Sequence, residues 1–328
     1  MATLNESRVS ETTAVAAPAT ATAGGESVPP PRRANRPRRS SRRRRRWLGL
    51  AYLAPALLIY ACVVLLPAGQ GVNLSFYHWD GITTATWAGV ENYTDFFTDP
   101  TLRQAVGHTL FFIVFFSFLP VVLGMTSAAL TARKDTRGAG VYRWIIFLPQ
   151  VLTPAVVAVV WKQIYAPDGP LNSVLTAFGL GGLTRGWLGD FTWALPALGL
   201  AGTWGAFGLC MVLFAAGAQN IPNELYDAAR MDGAGPVREF FTVTLPGLRG
   251  QLAVALTLTL LGAIRVFDIV WLTTKGGPGT STITPTVVLY KRAFSNPDVG
   301  AACAIGVVLA VVALIVSLAV VKLSEGDD

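Results

Sequence analysis

The side chains in this 328-residue sequence that could carry chemistry are few, and their spacing excludes most reactions. His78 and His108 stand far apart with no ligand spacing around them, so no metal site or cofactor is expected. Cys62, Cys210 and Cys303 all fall in apolar stretches and form no CxxC pair or disulfide framework; they read as small buried apolar residues. The run "KGGPGTST" at 275–282 has the glycines of a phosphate loop but lacks the Gly-Lys-Ser/Thr ending and follows no strand, so it reads as a glycine-rich turn. Two features remain. One is the charged, small-residue stretch "ELYDAARMDGAGP" at 224–236; the other is Arg265 and Asp268 within the apolar "LLGAIRVFDIVW". Neither is the cluster of acid, base and nucleophile that an enzyme needs. The chain is therefore expected not to be an enzyme.

The elements that must position these residues are apolar. Hydrophobic residues make up 52% of the chain and charged residues 14%, and the mean hydropathy is +0.49. Six stretches are long enough to cross a bilayer: Trp47–Gly69, Thr109–Leu130, Trp144–Tyr165, Phe191–Ala218, Leu252–Leu272 and Gly300–Val321. The expected fold is an all-α, polytopic membrane protein of six transmembrane helices. A disordered basic tail at 1–46 precedes a membrane domain at 47–323, and an inner loop spans 219–250.

The net charge of +7 does not point to nucleic acid, because its distribution matters more than its sum. Eleven arginines precede Trp47, ending in "SSRRRRRWLGL". Against an apolar span, such a run holds its end in the cytoplasm and meets anionic lipid of the bilayer. Inner segments then also collect Arg133, Lys134, Arg137, Arg143, Arg230, Arg238, Arg249 and Lys322, while outer loops hold only Arg103, Arg185, Lys275, Lys291 and Arg292. Both termini are expected to be cytoplasmic. In the outer loops, Phe76, Tyr77, Trp79 and Trp87 suit the membrane–water interface, and 166–190 has room for a short surface helix. In the fourth span, Gly199, Gly202, Gly205 and Gly208 permit close helix contact, and Pro196 permits a kink near a cavity.

The stretch at 224–236 lies in the inner loop between spans four and five. Pro222 suits a first helical turn, Glu224 and Asp227 complement the positive helix end, and Gly233 and Gly235 stop the helix before Pro236 starts another. Leu225, Ala228, Ala229 and Asp232 share one face. On physical grounds this is either a surface helix joining two spans or a helix that docks closely on another protein.

The run Asp227-Ala228-Ala229-Arg230-Met231-Asp232-Gly233, followed by "TVTLP", resembles the EAA signature of permease subunits in bacterial ABC importers. That signature usually begins with Glu where this sequence has Asp227. The likeness extends from about residue 50 to 322 through "AYLAPALLIYACVVLLP", "WAGVENYTDFF", "RWIIFLPQVLTPAVVAVVWKQIY", "NSVL" and "LTTKGGPGTSTIT", which are similar to the carbohydrate-type, MalF/UgpA-like permeases. The resemblance implies a MetI-like bundle in the bacterial plasma membrane and a carbohydrate substrate. It implies as partners a second permease subunit completing a heterodimer, an ABC ATPase dimer that hydrolyses the ATP, and an extracytoplasmic solute-binding protein. It also makes 224–233 the coupling helix, with Asp227, Ala228, Ala229 and Gly233 at the core of the ATPase contact and Glu224 and Arg230 at its rim. The rival is a secondary transporter driven by an ion gradient. That class tends to show internal repeats with broken helices, and no convincing repeat is visible.

In span five, Arg265 and Asp268 are expected three residues apart on one helical face. They serve either as an intrahelical ion pair, with Arg265 free to snorkel, or as contacts to the transported solute. Phe267 is positioned to stack on a sugar ring if it turns to the cavity. The resemblance favours the transport path, because the span after the coupling helix lines it in that family.

Overall fold

A computed structural model describes residues 52–131 and 139–325. The tail at 1–46, the start of the first span at Trp47, and Arg133, Lys134 and Arg137 lie outside the described residues.

The architecture is helical, as the hydropathy pattern requires. Helix α1 (Tyr52–Leu74) leads to a two-stranded antiparallel ladder of β1 (Tyr77–His78) and β2 (Thr86–Trp87), then a short helix α2 (Glu91–Thr98). Asp99 caps α3 (Pro100–Ala129) by accepting from the Thr101 amide at 2.7 Å, and Pro100 takes the first helical position where no amide donor is needed. Asp99 also receives Arg292 at 2.6 Å, which ties the start of α3 to a segment distant in the chain. The surface helix expected in 166–190 is present at Pro170–Ala177.

The third span departs from expectation. It is not one helix over Trp144–Tyr165 but a pair, α4 (Ala139–Val151) and α5 (Pro154–Ile164), bent by 103°. The cause is local. Pro154 has no amide hydrogen and disfavours helical backbone at Thr153, which is extended (ψ 150°) and caps α5 through its hydroxyl. With Pro170–Ala177 as α6, the fourth span follows as α7 (Ala194–Ala218), a single unbroken helix. Pro196 does not kink it, since it occupies the first turn, where the amide has no helical partner to lose.

The loop between spans four and five forms α8 (Asn223–Met231) and α9 (Pro236–Glu239), followed by a wide turn at Phe240–Thr244. Span five begins as α10 (Arg249–Ile264), stops, and resumes as α11 (Asp268–Thr273). Helix α12 (Pro285–Tyr290) and the long α13 (Val299–Glu325) complete the chain. The segment 275–282 is the glycine-rich turn expected, with Gly276 and Gly279 at φ +90° and +57°.

Helix α7 is the hub. Its small residues let neighbours approach: a Cβ on Gly208 would stand 2.4 Å from the Ile146 carbonyl oxygen of α4, and one on Gly124 of α3 would stand 2.6 Å from Cys210. One apolar cluster joins Leu102, Phe112, Leu198, Ala201, Val270 and Val287, and a second joins Val121, Met125, Cys210, Phe214 and Leu248. Tyr226 and Phe240 pack against the second, so this loop touches the bundle's own core.

Candidate functional site

Helix α8 is nine residues long and almost wholly exposed; only Tyr226 and Ala229 are half-buried. Pro222 is its N-cap rather than part of its first turn. The C-terminus is closed by paired hydrogen bonds: the Gly233 amide donates to the Arg230 carbonyl at 3.0 Å, and the Ala234 amide to the Ala229 carbonyl at 2.9 Å. This closure needs a left-handed residue, supplied by Gly233 at φ +75°. Glu224, Asp227, Ala228 and Gly233 all face solvent, as do Leu225 and Asp232.

Arg230 turns back on its own loop. Its Nε and Nη2 donate to Glu239 of α9 at 3.1 and 3.3 Å, and its Nη1 to Asp227 at 3.4 Å. The hydrogen bond and negative charge of Glu239, with a smaller contribution from Asp227, raise the guanidinium pKa further above its ordinary value. Beneath α8 lies an open hollow of about 820 Å³, lined in part by Tyr226, Arg230, Glu239, Phe240 and Thr244.

A second cavity, about 420 Å³, lies within the bundle where two helix breaks meet. One is the α4–α5 bend, which contributes Gln150, Leu152 and Pro154. The other is the α10–α11 break, which contributes Arg265, Phe267 and Asp268, so the three residues expected on the transport path do line one cavity. Their expected relation to one another is corrected. Arg265 is the C-cap of α10 and Asp268 the first residue of α11, with Phe267 at φ −133°, ψ −60° between them. The three-residue spacing thus no longer places them on one helical face, and among the described residues they form no ion pair or side-chain hydrogen bond. Phe267 is partly occupied, stacking on Trp271 at 5.8 Å and meeting Tyr290 at 5.3 Å.

A chain break at membrane depth needs its freed polar groups satisfied. The Val266 carbonyl accepts from the hydroxyls of Thr284 at 3.2 Å and Thr286 at 2.5 Å. Sequence reasoning missed these two threonines and Gln150 at the facing break, and it read Gly205 as a close-contact glycine where the structure leaves its side open to the cavity. The pairs Thr153-Pro154 and Thr284-Pro285 were the available signals, since a Thr-Pro step commonly starts a helix.

The broken helices alone do not favour the ion-gradient rival, because the comparisons with known proteins point elsewhere. Residues 120–325 match the family described as binding-protein-dependent transport system inner membrane component. The chain is 36% identical over 274 residues to the probable ABC transporter permease protein YurN of Bacillus subtilis, covering 83% of this chain and 94% of that one. It is 34% identical over 278 residues to the diacetylchitobiose uptake system permease protein NgcF of Streptomyces coelicolor, covering 81% and 79%. Among solved structures, it superposes with a TM-score of 0.74 on a chain of a bacterial alginate ABC transporter in complex with an alginate pentasaccharide-bound periplasmic protein. That superposition covers 88% of this chain and 97% of the other, at 22% identity, and shows a shared fold. With five apolar helical stretches among the described residues long enough to span a bilayer, one of them interrupted at 265–267, and one bent pair, this is a multi-pass membrane protein. It belongs to the family of inner membrane components of binding-protein-dependent transport systems.

Proposed function

We propose that the chain is one permease subunit of an ATP-driven importer for sugars or sugar derivatives. It forms half of a translocation pore with a second permease subunit, receives solute from an extracytoplasmic binding protein, and couples to a separate ABC ATPase dimer. The carbohydrate class is supported by a relative named for diacetylchitobiose uptake and by a fold shared with an alginate transporter. The observation that carries the coupling role is α8 itself: a short, sharply closed helix that offers solvent small residues and acidic charge. Asp227, Ala228, Ala229 and Gly233 form the docking core, because small side chains allow close approach, and Glu224 lies at its edge. The charges set orientation more than affinity. Arg265, Phe267 and Asp268 line the solute path, where unpaired charge near the membrane interior is tolerated beside a cavity. Both termini lie in the cytoplasm, consistent with the excess of arginine before the first span.

The test is uptake of labelled neutral and acidic oligosaccharides by cells carrying the intact system. Uptake should stop on ATP depletion and persist when ion gradients are collapsed at constant ATP. The opposite pattern would revive the ion-gradient rival.

A further inference from the structure

Helix α8 touches the bundle core through Tyr226 and otherwise stands over a hollow. Most of its side chains face solvent, and about 820 Å³ of open space lies between it and the ends of α3 and α7. Its side chains reach the following segment by two hydrogen-bonded links. Tyr226 and Arg230, one helical turn apart, lie on the same face. The Tyr226 hydroxyl meets the Thr244 hydroxyl at 3.2 Å, and Arg230 grips Glu239 with two nitrogens. Glu239 is the better anchored carboxylate, its side chain 14% exposed against 71% for Asp227, and it takes two of the three hydrogen bonds. A planar guanidinium paired with a carboxylate in this forked way fixes orientation as well as distance.

We infer that Arg230 is a positioning residue: through Glu239 it braces α8 against α9. This rests on the docking role proposed above for α8. With its positive charge paired to Glu239 and Asp227, the exposed carboxylates of α8 are Glu224, Asp227 and Asp232. Displacement of α8 then reaches α9 and the wide turn through two struts, one ionic and one hydroxyl.

The experiment uses the full-length chain in native membranes and in nanodiscs. It compares wild type, R230A, R230K, R230E and the exchanged pair R230E/E239R. Hydrogen exchange of the 223–234 amides reports opening of the helix. R230A should speed that exchange about threefold, the range of an ion pair with one exposed partner, with the unfolding midpoint of the whole protein unmoved. R230K, which cannot fork, should recover only part of the protection. The exchanged pair should return protection to near wild type, while R230E alone does not. Equal exchange in R230A and wild type, or an exchanged pair no better than R230E, overturns the brace. Capture of an ABC ATPase by the wild-type chain is scored separately: no ATPase in the membrane complex would sink the docking role and leave the exchange result intact.

Discussion

The loop between spans four and five and the bundle cavity reach their geometry by opposite routes. Helix α8 is local: its start, its stop and its exposed face follow from residues within a dozen positions of one another. The cavity is assembled from segments far apart in the chain, with Gln150, Gly205 and Arg265 on three different spans. Each break there is capped differently. Thr153 caps its own helix, whereas the Val266 carbonyl depends on Thr284 and Thr286. A surface element can thus be written in one motif, while an internal site needs distant segments to satisfy one another's polar groups.

The sharpest way to break this contrast is Gly233→Asp. No atom lies within 4 Å of a Cβ at Gly233, so the cost comes from φ +75° and from added negative charge, not from collision. Forcing a side chain into that backbone costs on the order of 1–2 kcal/mol. Uptake and ATPase capture should both be abolished while the bundle still folds; normal uptake with normal capture would refute the docking role proposed for α8.

Next in size is a pair of glycines on α7 that separates packing from cavity. Gly208→Ala forces a methyl against the Ile146 carbonyl and should destabilise by roughly 1–3 kcal/mol. Gly205→Ala meets no atom within 4 Å and should leave the unfolding midpoint in detergent unchanged. Equal losses at both positions would count against the close α4–α7 approach.

Arg265→Ala should cut uptake about tenfold, the equivalent of losing one hydrogen bond to a charged group at roughly 1.5 kcal/mol, with assembly preserved. Normal transport kinetics would remove Arg265 from the path. The smallest effect is expected from Thr286→Val, because Thr284 still caps the Val266 carbonyl: about 1 kcal/mol of stability, read by thermal unfolding. The double change Thr284→Val/Thr286→Val leaves that carbonyl bare and should cost more than the two single losses added together.

Much of this was legible in advance. Five of the six spans fall where hydropathy places them, because burying backbone in lipid demands long helices of apolar residues and little else. The loop at 224–236 was readable because glycine and proline act on their immediate neighbours. The misreadings share one cause. A window of apolar residues looks the same whether the helix runs through it or stops, so the breaks at Leu152–Thr153 and Arg265–Phe267 were invisible to hydropathy. The contact between the Arg230 guanidinium and Glu239, nine residues on, was likewise not legible from spacing.

The sequence by itself determined a membrane bundle and a short capped helix in its fourth inter-span loop, since hydropathy and turn chemistry act over a few residues at a time. Only the tertiary structure decided that Arg265, Phe267 and Asp268 share a cavity without pairing, and that α8 stands on struts above a hollow. Those outcomes depend on which distant hydroxyl, carbonyl or carboxylate is close enough to complete each polar group, and that is fixed only when the helices pack.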